Sequence, residues 1–227
     1  MYCWGWLGER NGKLALTVHA LCVGPLEVNC YLAGCQAHKE CAVIDPGDSA
    51  QMILAAVAER GWRITGILNT HGHADHTGAN AGVKKATGAP ILIHRLDAEL
   101  AQSQWAREAA SYLGLAPTPP PDTLLEDGSE IKVCACAALK TIHTPGHSPG
   151  GACFYHEGSL FSGDTLFRMS IGRGDLPGGN PQILLKSIKE RLFPLPGGTE
   201  IYPGHGDPTT VDFEKEYNPF LLNTGWR

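Results

Sequence analysis

This sequence predicts an α+β fold made of two sheet-and-helix halves packed together, and three observations carry the prediction. Apolar, β-branched runs are interspersed with segments of helical period along the whole chain. The stretch Ala116-Pro117-Thr118-Pro119-Pro120-Pro121-Asp122 divides them near the middle, since such proline density excludes both a helix interior and a central strand. Finally, 227 residues, 43% of them hydrophobic, suffice to bury a full core in one domain or in two similar halves. No clear internal repeat marks a duplication.

The elements follow in order. Strands are expected near Leu14 to Val23, Val28 to Ala33 and Glu40 to Ile44, the last ending in the turn Asp45-Pro46-Gly47-Asp48. Ser49 is the expected cap of a helix through Met52-Ile53-Leu54 to Arg60, stopped by Gly61, and the strand Ile64 to Asn69 follows. A helix around Ala79 to Thr87, the strand Ile91 to His94 and a helix from about Asp97 to Leu113 complete the first half. Beyond the proline connector, strands are expected at Ile131 to Cys136, Ala138 to His143, Ala152 to Tyr155 and Ser159 to Phe161, with Glu157-Gly158 turning a hairpin. A helix from Pro181 to Leu192, the strand Thr199 to Tyr202 and a helix near Phe213 to Tyr217 close the chain.

Residues 1–13 include Tyr2-Cys3-Trp4-Gly5-Trp6-Leu7 but lack the basic start and continuous apolar run of a signal peptide, so they read as a short extension to a single domain at 14–227. No stretch approaches the roughly 20 apolar residues that cross a bilayer, so no membrane partner is expected. Net charge is -5, from 18 Lys+Arg against 23 Asp+Glu, and the basic residues are scattered, which argues against nucleic acid as a partner. None of the eight cysteines forms a Cys-x-x-Cys pair, so buried free thiols and a reducing, cytoplasmic compartment are expected. Cys134 and Cys136 alternate along one strand and are read as packing residues on the same face.

The strongest local signal is Thr70-His71-Gly72-His73-Ala74-Asp75-His76-Thr77-Gly78, which places four ligand-type side chains within six residues directly after an apolar strand. In extended chain His71 and His73 point the same way, and a bend into the next helix swings Asp75 and His76 around, so one loop can face two metal positions. Left alone, such a cluster would accumulate repelling imidazolium charge, which bound metal removes by requiring neutral ligands. A local grammar of strand, glycine and lone ligand then recurs at His147 after Thr144-Pro145-Gly146, at Asp164 after Ser162-Gly163 and at His205 after Pro203-Gly204. Seven candidates, His71, His73, Asp75, His76, His147, Asp164 and His205, exceed the roughly four ligands of one zinc ion and suit two divalent ions. Imidazole with carboxylate fits Zn, Fe(II) or Mn. His19, His38, His94 and His156 lack ligand-type neighbours and read as structural or solvated, whereas His143, four residues before His147, is read as orienting a ligand.

The set His71-x-His73-x-Asp75-His76, Thr144-Pro145-Gly146-His147-Ser148, Ser162-Gly163-Asp164-Thr165 and Pro203-Gly204-His205-Gly206-Asp207 resembles the metallo-β-lactamase superfamily. The stretch 162–179 and the ending Glu216-Tyr217-Asn218-Pro219-Phe220 look like its short glyoxalase II-like members, the hydroxyacylglutathione hydrolases. The resemblance implies an αββα four-layer sandwich with two metal ions at one edge between the sheets. It implies that His71, His73 and His147 hold one ion, that Asp75, His76 and His205 hold the other, and that Asp164 bridges, with Asp75 also serving catalysis. It disfavours antibiotic hydrolysis, because class B β-lactamases generally lack the bridging aspartate. Two cations lower the pKa of a shared water and polarise a carbonyl, and a thiolate leaves without obligatory protonation, so a small-molecule thioester such as the glutathione conjugate S-lactoylglutathione is the implied substrate. Arg173, nine positions after Asp164, matches a residue that contacts the glutathione carboxylate, with Arg168 assisting. Two departures count against glutathione: Asp207 stands where the family carries a tyrosine, and the chain ends at Arg227, short of the family's helical C-terminal extension. The alternatives are a mononuclear iron persulfide dioxygenase of the same superfamily, a nuclease, or a non-catalytic metal-binding protein.

Overall fold

A computed structural model describes residues 16–222, so the extension at 1–13 and the C-terminal Arg227 lie outside the described residues. In the first half β1 (Thr17–Val23), β2 (Val28–Cys35) and β3 (Glu40–Ile44) form an antiparallel meander, and α1 (Ala50–Glu59) crosses to β4 (Arg63–Asn69), parallel to β3. Then come α2 (Ala74–Thr77), α3 (Asn80–Thr87), β5 (Ile91–His94), α4 (Arg95–Ala101) and α5 (Gln104–Tyr112). Residues 115–122, the proline connector among them, have neither helix nor strand, and β6 (Thr123–Leu125) completes a sheet ordered β1-β2-β3-β4-β5-β6.

The second half holds β7 (Glu130–Cys134), β8 (Ala137–His143), β9 (Ala152–His156), β10 (Ser159–Gly163), the small hairpin β11 (Leu166–Phe167) and β12 (Ser170–Ile171), and α6 (Pro181–Ser187), prolonged by a π-helical turn over Ile188–Leu192. It ends with β13 (Glu200–Pro203), β14 (Thr209–Thr210), α7 (Val211–Tyr217) and α8 (Pro219–Leu222), and its sheet runs β14-β13-β10-β9-β8-β7. The β9–β10 hairpin turns at Glu157 and Gly158, both with positive φ, as expected of a tight hairpin turn.

Three apolar layers bind this into an αββα sandwich, because alternate residues of each strand face opposite layers. Tyr31, Leu68, Phe154, Phe161 and Tyr202 meet between the sheets. Leu32 and Ile67 face the other way, against Ile53 of α1 and Val83 of α3. Leu160 and Ile201 turn to the outer helices and pack with Leu184, Ile188 and Val211.

Several local expectations need correction. Ser49 does not cap α1: it sits at φ 58° and its side chain makes no capping bond. The preceding residues are committed elsewhere, since Asp45 N–H donates to Leu68 O (2.9 Å) and Pro46 O accepts from Ala79 N–H (2.9 Å), leaving Ser49 to turn the chain. The single helix expected over 97–113 is two, because Ser103 Oγ accepts from Ala106 N–H (3.1 Å) and starts α5 as an N-cap. The strand expected over 131–136 stops at Cys134, so Cys136 lies exposed in the following turn while Cys134 is buried. They do not share a strand face.

Candidate metal centre

β8 and β10 both run antiparallel to β9, and β13 runs parallel to β10, so the carboxyl ends of β8, β10 and β13 reach the same edge of the second sheet. The carboxyl end of β4 delivers the 71–76 loop to that edge from the first sheet, and the two sets of side chains meet. His147 Nε2 lies 3.2 Å from His71 Nε2 and 2.9 Å from His73 Nδ1. Asp75, His76 and His205 form a second group, with both His76 Nε2 and His205 Nε2 3.7 Å from Asp75 Oδ2. Asp164 stands between the groups: its Oδ1 is 3.4 Å from His76 Nε2, and its Oδ2 is 3.5 Å from His147 Nε2 and 3.8 Å from His205 Nε2. All seven residues singled out in the sequence are therefore brought together. The strand-end glycines are required by space: a Cβ on Gly204 would collide with the Asp164 carboxylate and the His76 ring.

The donor set fits metal ions on its own chemistry. Four imidazoles have the outer nitrogen occupied by an oxygen: His71 Nδ1 by Thr70 Oγ1 (3.0 Å), His76 Nδ1 by Asp45 Oδ2 (3.0 Å), His147 Nδ1 by the Arg173 carbonyl (2.8 Å) and His205 Nδ1 by the Leu26 carbonyl (3.0 Å). A proton on each Nδ1 leaves an Nε2 lone pair aimed inward, the tautomer that metal ligation needs. His76 Nε2 and Asp164 Oδ1 are buried without hydrogen-bond partners, and a cation between them removes that cost. His73 faces the group through Nδ1 and sets its ring edge against Trp105.

Two buried aspartates that sequence reasoning passed over hold the loops in place. Asp45 Oδ1 accepts from Thr70 N–H (2.7 Å), and its Oδ2 accepts from Thr70 Oγ1 (2.6 Å) as well as from His76. Asp97 accepts from Gly72 N–H (2.8 Å), Ser148 Oγ (2.7 Å) and Gly150 N–H (2.5 Å), tying the 71–76 loop to the loop that carries His147. Burial raises the Asp97 pKa despite these bonds.

The electrostatics of the two groups differ. Burial, reinforced by neighbouring imidazoles, keeps His71 neutral and lowers His73 to about 3. Burial opposes a charge on His76 too, but Asp164, Asp75 and Asp45 outweigh it and push its pKa up to about 10. The same contest raises His205, where burial is outweighed by the bond to Asp75 and by Asp164. Burial disfavours ionisation of Asp75, yet His76 and His205 hold its pKa below the usual carboxylate range. One group is a cradle of neutral nitrogens, whereas in the other the carboxylates favour positive charge, which a metal ion can supply in place of the histidine protons.

Other expected residues fall outside this geometry. The exposed Arg173 side chain makes a two-point bond to Asp175 (2.7 Å each), and it is the Arg173 backbone carbonyl that holds His147. Arg168, also exposed, lies over the Phe213 ring at 4.8 Å. The hairpin that joins it to Asp164 is anchored by buried Glu214, which accepts from Met169 N–H (3.0 Å) and Asn218 Nδ2 (2.7 Å). His143 does not orient a ligand: it bonds the Pro149 carbonyl through Nε2 (3.0 Å) and stacks on His94, because an i, i+4 spacing on a strand and loop does not bring two side chains together as it does on a helix. His38 is not merely solvated, since it lies beside Cys35 and Cys136.

Comparison with known proteins agrees with this geometry. The family model described as the metallo-beta-lactamase superfamily matches residues 23–205. The chain belongs to that superfamily. It is 35% identical over 211 residues to the hydroxyacylglutathione hydrolase GloC of Haemophilus influenzae, covering 91% of this chain and 98% of that one. Among solved structures it is similar to the BLEG-1 B3 metallo-beta-lactamase (TM-score 0.84, 34% identity, 92% of this chain and 100% of the other). It is likewise similar to TTHA1623 in a di-iron-bound form (TM-score 0.79, 39% identity, 90% and 100%). Among the described residues no helix is long and apolar enough to cross a membrane.

Proposed function

We propose that the protein is a binuclear metallohydrolase that cleaves a small thioester, S-lactoylglutathione or a close analogue. The observation that carries this reading is the position of Asp164 between the two ligand groups, with Oδ2 within 3.8 Å of both His147 and His205 and Oδ1 3.4 Å from His76, the placement a bridging carboxylate needs. His71, His73 and His147 would hold one divalent ion and Asp75, His76 and His205 the other, with zinc as the expected metal and iron, as in TTHA1623, as the alternative. When bound, such a pair activates water and polarises a carbonyl.

The chain's own residues supply position and charge. Asp75, whose pKa His76 and His205 already hold low before a metal binds, would face the attacking water as an ionised carboxylate and orient it. Asp97 and Asp45 keep the ligand loops fixed, so little reorganisation accompanies attack. Beside Asp75 a shallow recess lined by Val23, Pro25, Leu26, Val28, Leu113 and Leu115 offers an apolar wall to the substrate. Thiols ionise at about 8.5, so the leaving group needs no dedicated acid. The buried thiols of Cys30, Cys41 and Cys153 suit the reducing cytoplasm.

A second reading, β-lactam cleavage, has the likeness to BLEG-1 in its favour. Bound metal, thioester cleavage, β-lactam cleavage and oxygen uptake with glutathione persulfide, measured on one preparation, separate the possibilities. Two metal equivalents at the histidine edge with thioester turnover are expected. One iron with oxygen uptake, or β-lactam turnover without thioester cleavage, overturns the proposal.

A further inference from the structure

At the other end of the sandwich a second set of ligand-type atoms converges. The turn from β2 to β3 carries Cys35 and His38, and the turn from β7 to β8 carries Cys134 and Cys136. Both turns lie at the amino ends of β3 and β8, whereas the histidine edge lies at the carboxyl ends of β8 and of β4, the parallel neighbour of β3. Cys35 Sγ is 3.3 Å from His38 Nδ1 and 3.6 Å from Cys136 Sγ, and Cys136 Sγ is 3.4 Å from His38 Nδ1 and 3.3 Å from Cys134 Sγ. All four donor atoms lie within 4.8 Å of one another.

We infer that Cys35, His38, Cys134 and Cys136 form a structural zinc site that clips the two sheets together. Zn–S bonds of about 2.3 Å and Zn–N bonds of about 2.0 Å give a tetrahedron with S···S edges of about 3.8 Å and S···N edges of about 3.5 Å, close to the spacings present. A disulfide would use only two of these groups, at an S–S distance of about 2.05 Å, and leave His38 without a role. Three thiols lose their protons to solvent on binding and imidazole ligates neutral, so one Zn²⁺ leaves the site with one net negative charge. With every position filled by protein the site is closed to substrate, which marks it as structural rather than catalytic. Its spacings, Cys-x-x-His and Cys-x-Cys, lie 101 residues apart from Cys35 to Cys136, so binding closes a long loop between the halves of the chain.

The test uses the full-length reduced protein loaded with Co(II) alone. The histidine edge contains no sulfur, so sulfur-to-cobalt charge-transfer absorption reports only thiolate sites. It is expected in the wild type and in Asp164→Ala, and sharply reduced in Cys136→Ser, whose position on an exposed turn spares the core. Zinc content should fall by one equivalent in Cys136→Ser, with thioester turnover unchanged. Absorption that is missing from the wild type, or that survives Cys136→Ser undiminished, overturns the inference, as does a Cys35–Cys136 or Cys134–Cys136 disulfide found by peptide mass. Because the readout is spectroscopic, failure of the hydrolase reading leaves this result intact.

Discussion

The two ends of the sandwich bring ligands together by different routes. At the histidine edge four donors come from one six-residue loop, and three more arrive from neighbouring strand ends, each behind a glycine. At the opposite end each sheet contributes one short turn with two donors. The first arrangement tolerates open positions and mixed nitrogen and oxygen ligands, as chemistry demands, while the second is sulfur-rich and closed. The difference separates reactivity from cross-linking within one fold, and substitutions at the two ends should separate accordingly.

The largest expected effect is at Asp164. Asp164→Ala removes the carboxylate that lies between the two ligand groups, and it should lower thioester turnover by about 100-fold or more and reduce bound metal at the histidine edge. Activity assays with metal analysis check this, and full occupancy at the histidine edge would count against a bridge. Next comes Asp97→Ala, which strands buried donors from Gly72, Ser148 and Gly150. At roughly 1 kcal/mol or more for each, a loss of about 3 kcal/mol in denaturant stability is expected, together with weaker metal retention. Asp97→Asn, which keeps an acceptor oxygen, should lose less. Equal midpoints for the alanine variant and the wild type would remove Asp97 from its role as a tie.

These two aspartates also mark where the sequence stops being legible. The loop from His71 to His76 stands out because its ligands are contiguous, and His147, Asp164 and His205 follow because each repeats the strand, glycine, ligand pattern. Asp45 closes the strand Glu40–Ile44 just before Pro46-Gly47, so it carries a variant of that pattern and reads as a turn only because proline and glycine follow the aspartate instead of preceding it. Asp97 has no local signal at all, since its partners come from Gly72, Ser148 and Gly150. The cysteine end is equally silent in one dimension: Cys35 and Cys136 become neighbours only through the stacking of two sheets. The same limit applies to the short elements β6, β11 and β12, which pairing defines and composition does not.

Titration offers a smaller, graded test of the histidine edge. Unfolded histidine takes up its proton near 6.5, whereas His73, buried beside His147, does so only at about 3 in the metal-free protein. The resulting stability is complete above pH 6.5 and drains away as the pH falls toward 3, and His71 acts with the same sign. His76, raised to about 10 by its carboxylates over the opposing effect of burial, acts oppositely: its contribution is full below pH 6.5 and fades as the pH rises toward 10. In the chelated protein the urea midpoint should therefore fall between about pH 6.5 and pH 4.5, a window in which His76 is constant. Loaded protein should release metal in the same window as its imidazoles protonate. A chelated protein whose midpoint is flat there would mean that the imidazole nitrogens are not buried as a neutral group.

The smallest effect is expected at Arg173, where the backbone and the side chain do different things. The carbonyl fixes His147, and no side-chain substitution removes it, so Arg173→Ala should leave metal content and kcat near wild type. The guanidinium lies exposed with Asp175, where a surface ion pair contributes roughly 0 to 1 kcal/mol, so stability should scarcely move. If this side chain leaves Asp175 to bind a substrate carboxylate, KM for S-lactoylglutathione should rise about tenfold, the equivalent of one charge-assisted bond, and Arg173→Lys should restore part of it. A thioester without that carboxylate should show no difference between the variants. Unchanged KM for both substrates would confine Arg173 to its carbonyl, and would turn attention to the apolar recess beside Asp75 as the main source of substrate affinity.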